Sequence, residues 1–178
     1  MVKLYASRVV NAPRGVCYDL VRSVDAHAAA VPRIRAKAEA GRLSGLLNGG
    51  EWTEWSAVYF GFRFRITMEV AEMDWPFSYV ERRVAGMFDV FTHQYRLVAL
   101  DENRTMVTDS LCFHAGWGSC GVLLDRWLLA PVLRRALDER MDSILRWAED
   151  GSWRQWLDEK SGARAPGAVK GEHVACAN

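Results

Sequence analysis

Acid–base chemistry is suggested first by the stretch Asp89–Leu97, in which apolar and polar residues alternate as in a β-strand. Phe91, His93, Tyr95 and Leu97 fall on one face of such a strand, so His93 and Tyr95 are predicted to point away from water. An imidazole and a phenol on a dry face can exchange protons with a bound molecule. This strand is therefore the first candidate for a functional site.

Two carboxylates are predicted to join these groups from neighbouring strands. Asp109 has the parity of the apolar residues in the next strand, and a three-residue turn would place it opposite Tyr95 and diagonal to His93. Glu81 has the parity that would place it beside His93 across the preceding hairpin. A carboxylate in an apolar wall has a raised pKa and can act as an acid or a base. The predicted catalytic group is Glu81, His93, Tyr95 and Asp109, and a purely structural polar network is the alternative interpretation.

The elements that would position these residues form a run of strands. Five stretches alternate with period two and are separated by turn-forming residues, which is typical of an antiparallel meander rather than of βαβ units. They span residues 51–60, 62–73, 78–86, 88–100 and 105–115. Residues 2–10 predict a first strand and residues 34–47 a weaker one, which makes six to seven strands. One short helix, or two with a break near residues 23–25, is predicted between residues 14 and 30.

A long helix is predicted over residues 121–149, where apolar residues recur at steps of three, four and five. The other side of this helix carries Arg126, Arg134, Arg135, Asp138, Glu139 and Asp142, so it is expected to face water. Pro131 lacks the N–H that would bond to the carbonyl of Trp127. A kink is therefore predicted there, with two separate helices as the alternative.

The composition narrows the possible functions. The chain has 178 residues, half of them apolar, and a formal net charge of +1, which gives no reason to expect nucleic acid as a partner. The sequence has no run of about 18 apolar residues, so no membrane span is predicted, and the N-terminus does not resemble a signal peptide. Cys17, Cys112, Cys120 and Cys176 lack metal-ligand spacing, so reduced thiols and a cytoplasmic location are expected. No motif predicts a metal or a cofactor.

Several motifs resemble the START-like (SRPBCC) superfamily, and within it the bacterial polyketide cyclase/dehydrase-like ligand-binding branch. They are VVNAPRGVCYDLV at 9–21, GEWTEW at 50–55, DWPF at 74–77, GMFxVFxHQY at 86–95, TMVTD at 105–109 and GxGSCG at 116–121. The resemblance implies an α+β helix-grip fold, in which a curved antiparallel sheet wraps around a long C-terminal helix, with two short helices after the first strand. It also implies a deep apolar cavity between the sheet and the helix.

The cavity is expected to hold a hydrophobic small molecule, and the four polar residues would act on it by acid–base chemistry, as in cofactor-independent cyclisation or dehydration. A carrier without catalysis, and an interaction module that uses the C-terminal tail or an edge strand, are the alternatives. Trp117 lies in a glycine-rich loop and is a candidate gate. The residues expected to line the cavity are Trp55, Tyr59, Phe64, Met68, Tyr79, Phe91, Phe113, Trp117, Leu124 and Leu128.

The predicted domain organisation is simple. Residues 1–150 are expected to form one ligand-binding domain, which is a monomer or a homodimer. Residues 151–178 lose their periodicity after Leu157 and are expected to be a largely disordered tail.

Overall fold

The computed structural model describes residues 1–59, 61–116 and 118–157, without the side chains of Tyr59, Ser119 and Cys120. In this part of the chain seven strands form one antiparallel sheet in the order β1-β7-β6-β5-β4-β3-β2. The strands are β1 (Val2–Val10), β2 (Lys37–Gly41), β3 (Trp52–Tyr59), β4 (Phe62–Asp74), β5 (Ser78–Gly86), β6 (Val90–Ala99) and β7 (Thr105–His114). The predicted meander of six to seven strands is confirmed.

The register of the central strands agrees with the prediction from residue parity. Tyr95 on β6 pairs with Asp109 on β7, and Glu81 on β5 pairs with His93 on β6. The pairing of β4 with β5 shifts at two points, 67/68 and 70/72. Such bulges bend a strand and increase its twist, so the middle of the sheet can curve around a helix.

Two short helices follow β1, namely α1 (Arg14–Arg22) and α2 (Val24–Ala30). Ser23 separates them in an extended conformation, and its side-chain oxygen accepts a hydrogen bond from the backbone N–H of Ala26 at 3.2 Å. A serine at this position satisfies an N–H that the first turn of a helix leaves without a backbone partner. The break predicted near residues 23–25 is therefore present.

The C-terminal helix continues past Pro131 with a widened turn before it. It consists of α3 (Gly118–Leu123), a π-helical segment (Leu124–Leu129) and α4 (Ala130–Glu149). The N–H of Ala130 bonds to the carbonyl of Asp125, five residues earlier, instead of the α-helical four. The irregularity that proline imposes thus takes the form of a π segment ending beside Pro131, and no separation into two helices is seen.

The helix α4 packs mainly on β1, α1 and α2. On the solvent side of this contact, Arg8 of β1 lies 3.5 Å from a carboxylate oxygen of Asp138 and 3.3 Å from one of Asp142. The buried side of α4 carries Leu137, Met141 and Ile144, which the apolar stripe predicted. Because α4 is attached along β1, space is left between its N-terminal half and strands β3–β6.

The chain turns back after α4. A short helix, α5 (Arg154–Leu157), places Trp156 against Trp147 with ring centroids 4.8 Å apart. Residues 151–157 of the predicted tail are therefore folded onto the domain, and the prediction for 158–178 lies outside the described residues. In the described part of the chain no helix is long and apolar enough to cross a membrane.

Candidate functional site

A cavity of about 370 Å³ lies between the sheet and the C-terminal helix. This volume is within the range of small-molecule sites in proteins. Most of its lining is apolar and comes from β3, β4, β6, the π segment and α4. Five of the predicted ligand-binding residues contribute to it, namely Trp55, Phe64, Met68, Phe91 and Leu128.

Alternation along β4 explains much of this apolar wall. Phe62, Phe64, Ile66 and Met68 all point to the same side of the strand and all line the cavity. Phe62 is 70 % exposed whereas Met68 is 5 % exposed, so the cavity runs from an open end at the β3–β4 turn to a closed end. Leu128, which is 52 % exposed, borders the open end from the helix side.

Four polar side chains line the cavity at its closed end: His27, Glu81, His93 and Arg140. Glu81, His93 and Arg140 are between 3 and 8 % exposed. Glu81 and His93 were predicted from the parity of their strands. His27 and Arg140 were not predicted, and both come from helices.

His93 is held by a buried carboxylate. Its Nε2 atom lies 2.6 Å from Oδ1 of Asp109, which is completely buried behind it. Among the described residues no hydrogen-bond partner is found for the Nδ1 atom of His93. A carboxylate in this position fixes the orientation of an imidazole and leaves its second nitrogen for another partner.

Glu81 is paired with His93 across the β5–β6 hairpin. Burial raises the pKa of the Glu81 carboxyl above its usual range, and the charges of Arg140 and His93 oppose that rise. A carboxyl group with a raised pKa holds its proton at a higher pH than an exposed one does. Glu81 is therefore suited to donate a proton or a hydrogen bond into the cavity.

Tyr95 and Tyr79 do not line the cavity, contrary to the expectation from strand parity. Both are fully buried, and burial raises the pKa of each phenol well above its usual value. The reason is that α1 covers this part of the sheet, with Tyr18 packed edge-on against Tyr79 at 6.3 Å. Tyr95 instead packs on the ring of His93, with centroids 4.7 Å apart, and helps to hold it in place.

Phe113 and Leu124 are also outside the cavity lining. Phe113 is fully buried under Phe88, which packs edge-on against it with centroids 6.1 Å apart, so it belongs to the core. Leu124 lies four residues before Leu128, where the helical lining begins. The predictions for the side chain of Tyr59 and for Trp117 lie outside the described residues.

Arg140 could have been found from the sequence. It is three residues after Leu137 and four before Ile144, so it occupies a position on the apolar stripe of the helix. An arginine at such a position is either paired in the core or directed into a cavity. His27 carries no comparable signal, because it lies in an alanine-rich helix of seven residues.

A second histidine–aspartate pair lies outside the cavity. The Nδ1 atom of His114 is 2.6 Å from Oδ2 of Asp125, whose other oxygen accepts a hydrogen bond from the N–H of Ala115 at 2.9 Å. His114 is half-buried, and Asp125 belongs to the π segment. This pair connects β7 to the C-terminal helix and does not face the cavity.

A metal site receives no support from the geometry. Among the residues that the structure describes, no group of three or more His, Cys, Asp and Glu side chains could hold a metal ion.

Cys17 and Cys112 are buried thiols, and burial raises the pKa of Cys17 to about 11.

We expect the folded protein to lose stability on mild acidification because of His27. Burial, followed by the charge of Arg140, lowers the pKa of His27 well below 6.5 in the folded state, whereas the unfolded chain takes up a proton near pH 6.5. Stability is then lost as the pH falls below 6.5, by up to about 1.4 kcal/mol per pH unit. The measurement is urea unfolding of the wild type and of His27→Gln, whose amide oxygen can still accept from Arg140.

The difference in the free energy of unfolding between the wild type and His27→Gln isolates the effect of His27. Glu81 acts in the opposite sense, because its raised pKa in the folded state adds stability as the pH falls, but it is present in both proteins. Parallel stability curves below pH 6.5 would contradict the assignment of His27 as a buried neutral histidine.

A seven-stranded antiparallel sheet that wraps around a long C-terminal helix, with two short helices after the first strand, is the START-like helix-grip fold. Solved structures of this kind match nearly the whole described chain. A protein from Thermus thermophilus aligns with 85 % of this chain and 99 % of its own length, at a TM-score of 0.68 and 18 % identity.

Two further structures extend the comparison. The Zhui aromatase/cyclase from Streptomyces sp. R1128 aligns with 94 % of this chain and 99 % of its own length, at a TM-score of 0.66 and 15 % identity. A START superfamily protein from Mycobacterium smegmatis aligns with 86 % of this chain and 97 % of its own length, at a TM-score of 0.57 and 14 % identity. No protein-family model and no curated protein sequence matches this chain. The likeness is therefore one of fold.

Proposed function

We propose that this protein binds a small apolar molecule in the cavity and acts on it by acid–base chemistry. The observation that carries the proposal is an apolar cavity of about 370 Å³ with the His93–Asp109 pair at its closed end. A wall of this kind removes apolar surface of a ligand from water, which contributes about 25 cal/mol per Å². The few polar groups at the closed end would then set the orientation of the ligand.

The reaction that fits these groups is ring closure followed by loss of water. His93 would take a proton through Nδ1 from a carbon next to a carbonyl group, and that carbon would form a bond to a second carbonyl carbon. The protonated carboxyl of Glu81 would give its proton to the resulting alkoxide, which becomes a hydroxyl group. The Glu81 carboxylate would then take a second proton from the same carbon while the protonated His93 gives its proton to the hydroxyl, which leaves as water and leaves a carbon–carbon double bond. Asp109 would stabilise the imidazolium, and the scheme needs no cofactor. That one structural neighbour is an aromatase/cyclase supports this choice.

A carrier without catalysis is the second candidate. It is favoured by the apolar residues at the open end, where Phe62 is 70 % exposed and Leu128, on the helical side, is 52 % exposed. Apolar rims of this kind suit a protein that exchanges its ligand with an apolar donor or acceptor. The two candidates share the binding site and differ only in the fate of the ligand.

Binding is tested by filling the cavity. We expect methyl 2-naphthoate to bind the wild type at one site and to show at least about tenfold weaker binding to Ala136→Trp, whose new indole would occupy the cavity. Isothermal titration calorimetry measures both affinities. Ala99→Trp, at an exposed position on β6, is the matched control and should bind as the wild type does. Equal affinity for all three proteins would place the ligand elsewhere and contradict the proposal.

A further inference from the structure

Arg140 has no ion-pair partner although it lies at the closed end of the cavity. It is 3 % exposed, and among the described residues no carboxylate oxygen lies within 4.0 Å of its guanidinium. An uncompensated cation away from water carries a desolvation penalty of several kcal/mol. A folded protein keeps such a group where a ligand supplies the missing charge, or where neighbouring acceptors satisfy all of its N–H groups.

The neighbouring acceptors do not satisfy it. One terminal nitrogen of Arg140 donates to Nδ1 of His27, and the other donates to the carbonyl oxygen of Val21 at 2.8 Å. The Nε atom has no hydrogen-bond partner in the described part of the chain. A guanidinium has five N–H donors, and two are used here, which leaves three.

His27 adds a donor beside this guanidinium. Because its Nδ1 accepts a hydrogen bond from Arg140, its proton is on Nε2, and the ring is neutral. The ring is fixed by stacking on Trp55, with centroids 4.3 Å apart and planes at 31°. Both Arg140 and His27 line the cavity, although the Nε atom of Arg140 is itself enclosed by protein.

Glu81 is the nearest candidate for a counter-charge, and it does not fill this role. It forms no ion pair with Arg140 within 4.0 Å, and burial raises the pKa of its carboxyl above the usual range. Among the described residues the guanidinium of Arg140 therefore meets no carboxylate, and the ring of Tyr95, whose centroid lies 5.1 Å from its Cζ atom, offers a π face but no negative charge.

We propose that Arg140 and His27 form an anion subsite, and that the ligand is an apolar acid whose carboxylate binds there at the closed end of the cavity. This inference rests on the proposed binding function and specifies its ligand class. The carboxylate accepts hydrogen bonds from the remaining N–H groups on the two terminal nitrogens of Arg140 and from the Nε2–H of His27, while the apolar part of the ligand lies along the β4 wall. Charge-assisted hydrogen bonds of this kind are about twice as strong as those between neutral groups.

The test compares 2-naphthoate with its methyl ester, which has the same ring system and no charge. Hydrogen bonds to charged groups contribute about 1.5–3 kcal/mol, so the acid should bind the wild type about 10- to 100-fold more tightly than the ester at neutral pH. Arg140→Met should abolish this preference and leave the affinity for the ester within about threefold, because the apolar stem is retained. Arg135→Met, on the exposed side of the same helix, is the control and should keep the preference.

A second variant gives an effect of opposite sign. Glu81→Gln removes a group that can become negative near the bound carboxylate, so it should tighten binding of the acid by about 3- to 10-fold and not that of the ester. If Arg140→Met does not fold, Arg140→Gln decides the question, because it keeps a hydrogen-bonding side chain without the charge and should also lose the preference for the acid.

The two proposals fail in different ways. The anion subsite is overturned if the wild type binds the ester and shows no preference for the acid, or if the preference for the acid survives in Arg140→Met. Either result leaves the binding proposal intact. Failure of the wild type to bind either probe overturns both.

Discussion

Replacing His93 by glutamine is expected to slow conversion of the bound ligand by about 10²- to 10⁴-fold, the usual contribution of a general acid or base. The glutamine side chain can still hydrogen-bond to the buried Asp109, so this carboxylate keeps a partner and the sheet keeps its packing. What is lost is the second imidazole nitrogen, to which the proposal assigns the proton exchange. Ligand affinity should change by less than about threefold, because the apolar wall is untouched.

The substrate for this measurement comes from the variant itself. A slow enzyme retains its unreacted ligand during purification, so the compound released from His93→Gln can be added to the wild-type protein. Liquid chromatography with mass detection then follows its conversion under single-turnover conditions. The proposed product has lost one water.

His114→Gln is the matched control. His114 also lies 2.6 Å from an aspartate oxygen, but it is outside the cavity, so its replacement should leave conversion unchanged. Conversion by His93→Gln at the wild-type rate, with the same unfolding midpoint, would remove the catalytic role and favour the carrier.

The second large effect concerns two phenylalanines that pair directly across strands β6 and β7, Phe91 and Phe113. Phe113→Ala is expected to lower the free energy of unfolding by about 3–5 kcal/mol, because this ring is fully buried in the core. Phe91→Ala should cost only about 1–2 kcal/mol, because its ring borders an existing cavity and is only partly buried.

Ligand affinity should show the reverse order. Phe91→Ala removes part of the cavity wall and should weaken binding of methyl 2-naphthoate by about 3- to 10-fold, whereas Phe113→Ala should leave binding nearly unchanged in the folded fraction. Urea unfolding and calorimetry measure the two quantities. A similar loss of stability in both variants would contradict the division between core and cavity on this face of the sheet.

Strand parity accounts for the part of the site that the sequence could predict. Alternation along each strand places Glu81, His93 and Asp109 on the inner face, and short turns restrict which of them can be neighbours. The same alternation along β4 predicts that Phe64 and Met68 belong to the wall of a cavity. Parity is reliable here because shifting a strand by one residue would expose its whole apolar side.

Parity does not tell what covers an inner-face residue. Tyr79, Tyr95 and Phe113 have the same parity as cavity residues, but α1 and Phe88 cover them, so they belong to the core. That distinction depends on where the helices pack, which is a long-range property. Arg140 was missed for a related reason, since helical periodicity places it on the buried stripe but does not show that a cavity lies beneath it.

The sequence predicted an irregularity of the helix at Pro131, but it did not predict that this irregularity is a π-helical segment. A missing N–H excludes regular α-helical bonding at that point, but bending, breaking and widening of the helix all satisfy that constraint. The carboxylate of Asp125, inside the widened segment, is bonded to His114 and to the N–H of Ala115. These contacts join the widened segment to the end of β7.

The fold alone leaves the function open, because helix-grip proteins differ in the polar groups of their cavities. In this protein those groups are an aspartate-bound histidine, a carboxyl with raised pKa and a guanidinium beside a neutral histidine. The proposed binding of an apolar acid and the proposed proton transfers both depend on these groups.

The most direct test of this account is the mass of the small molecule released when the purified protein is denatured. The account predicts an apolar compound at up to one molecule per chain from the wild type and from Ala99→Trp, and none from Ala136→Trp, whose cavity is filled. Two results would contradict the account. One is release of the same compound in equal amount from Ala136→Trp. The other is that none of the three proteins releases a compound and none binds 2-naphthoate or its ester.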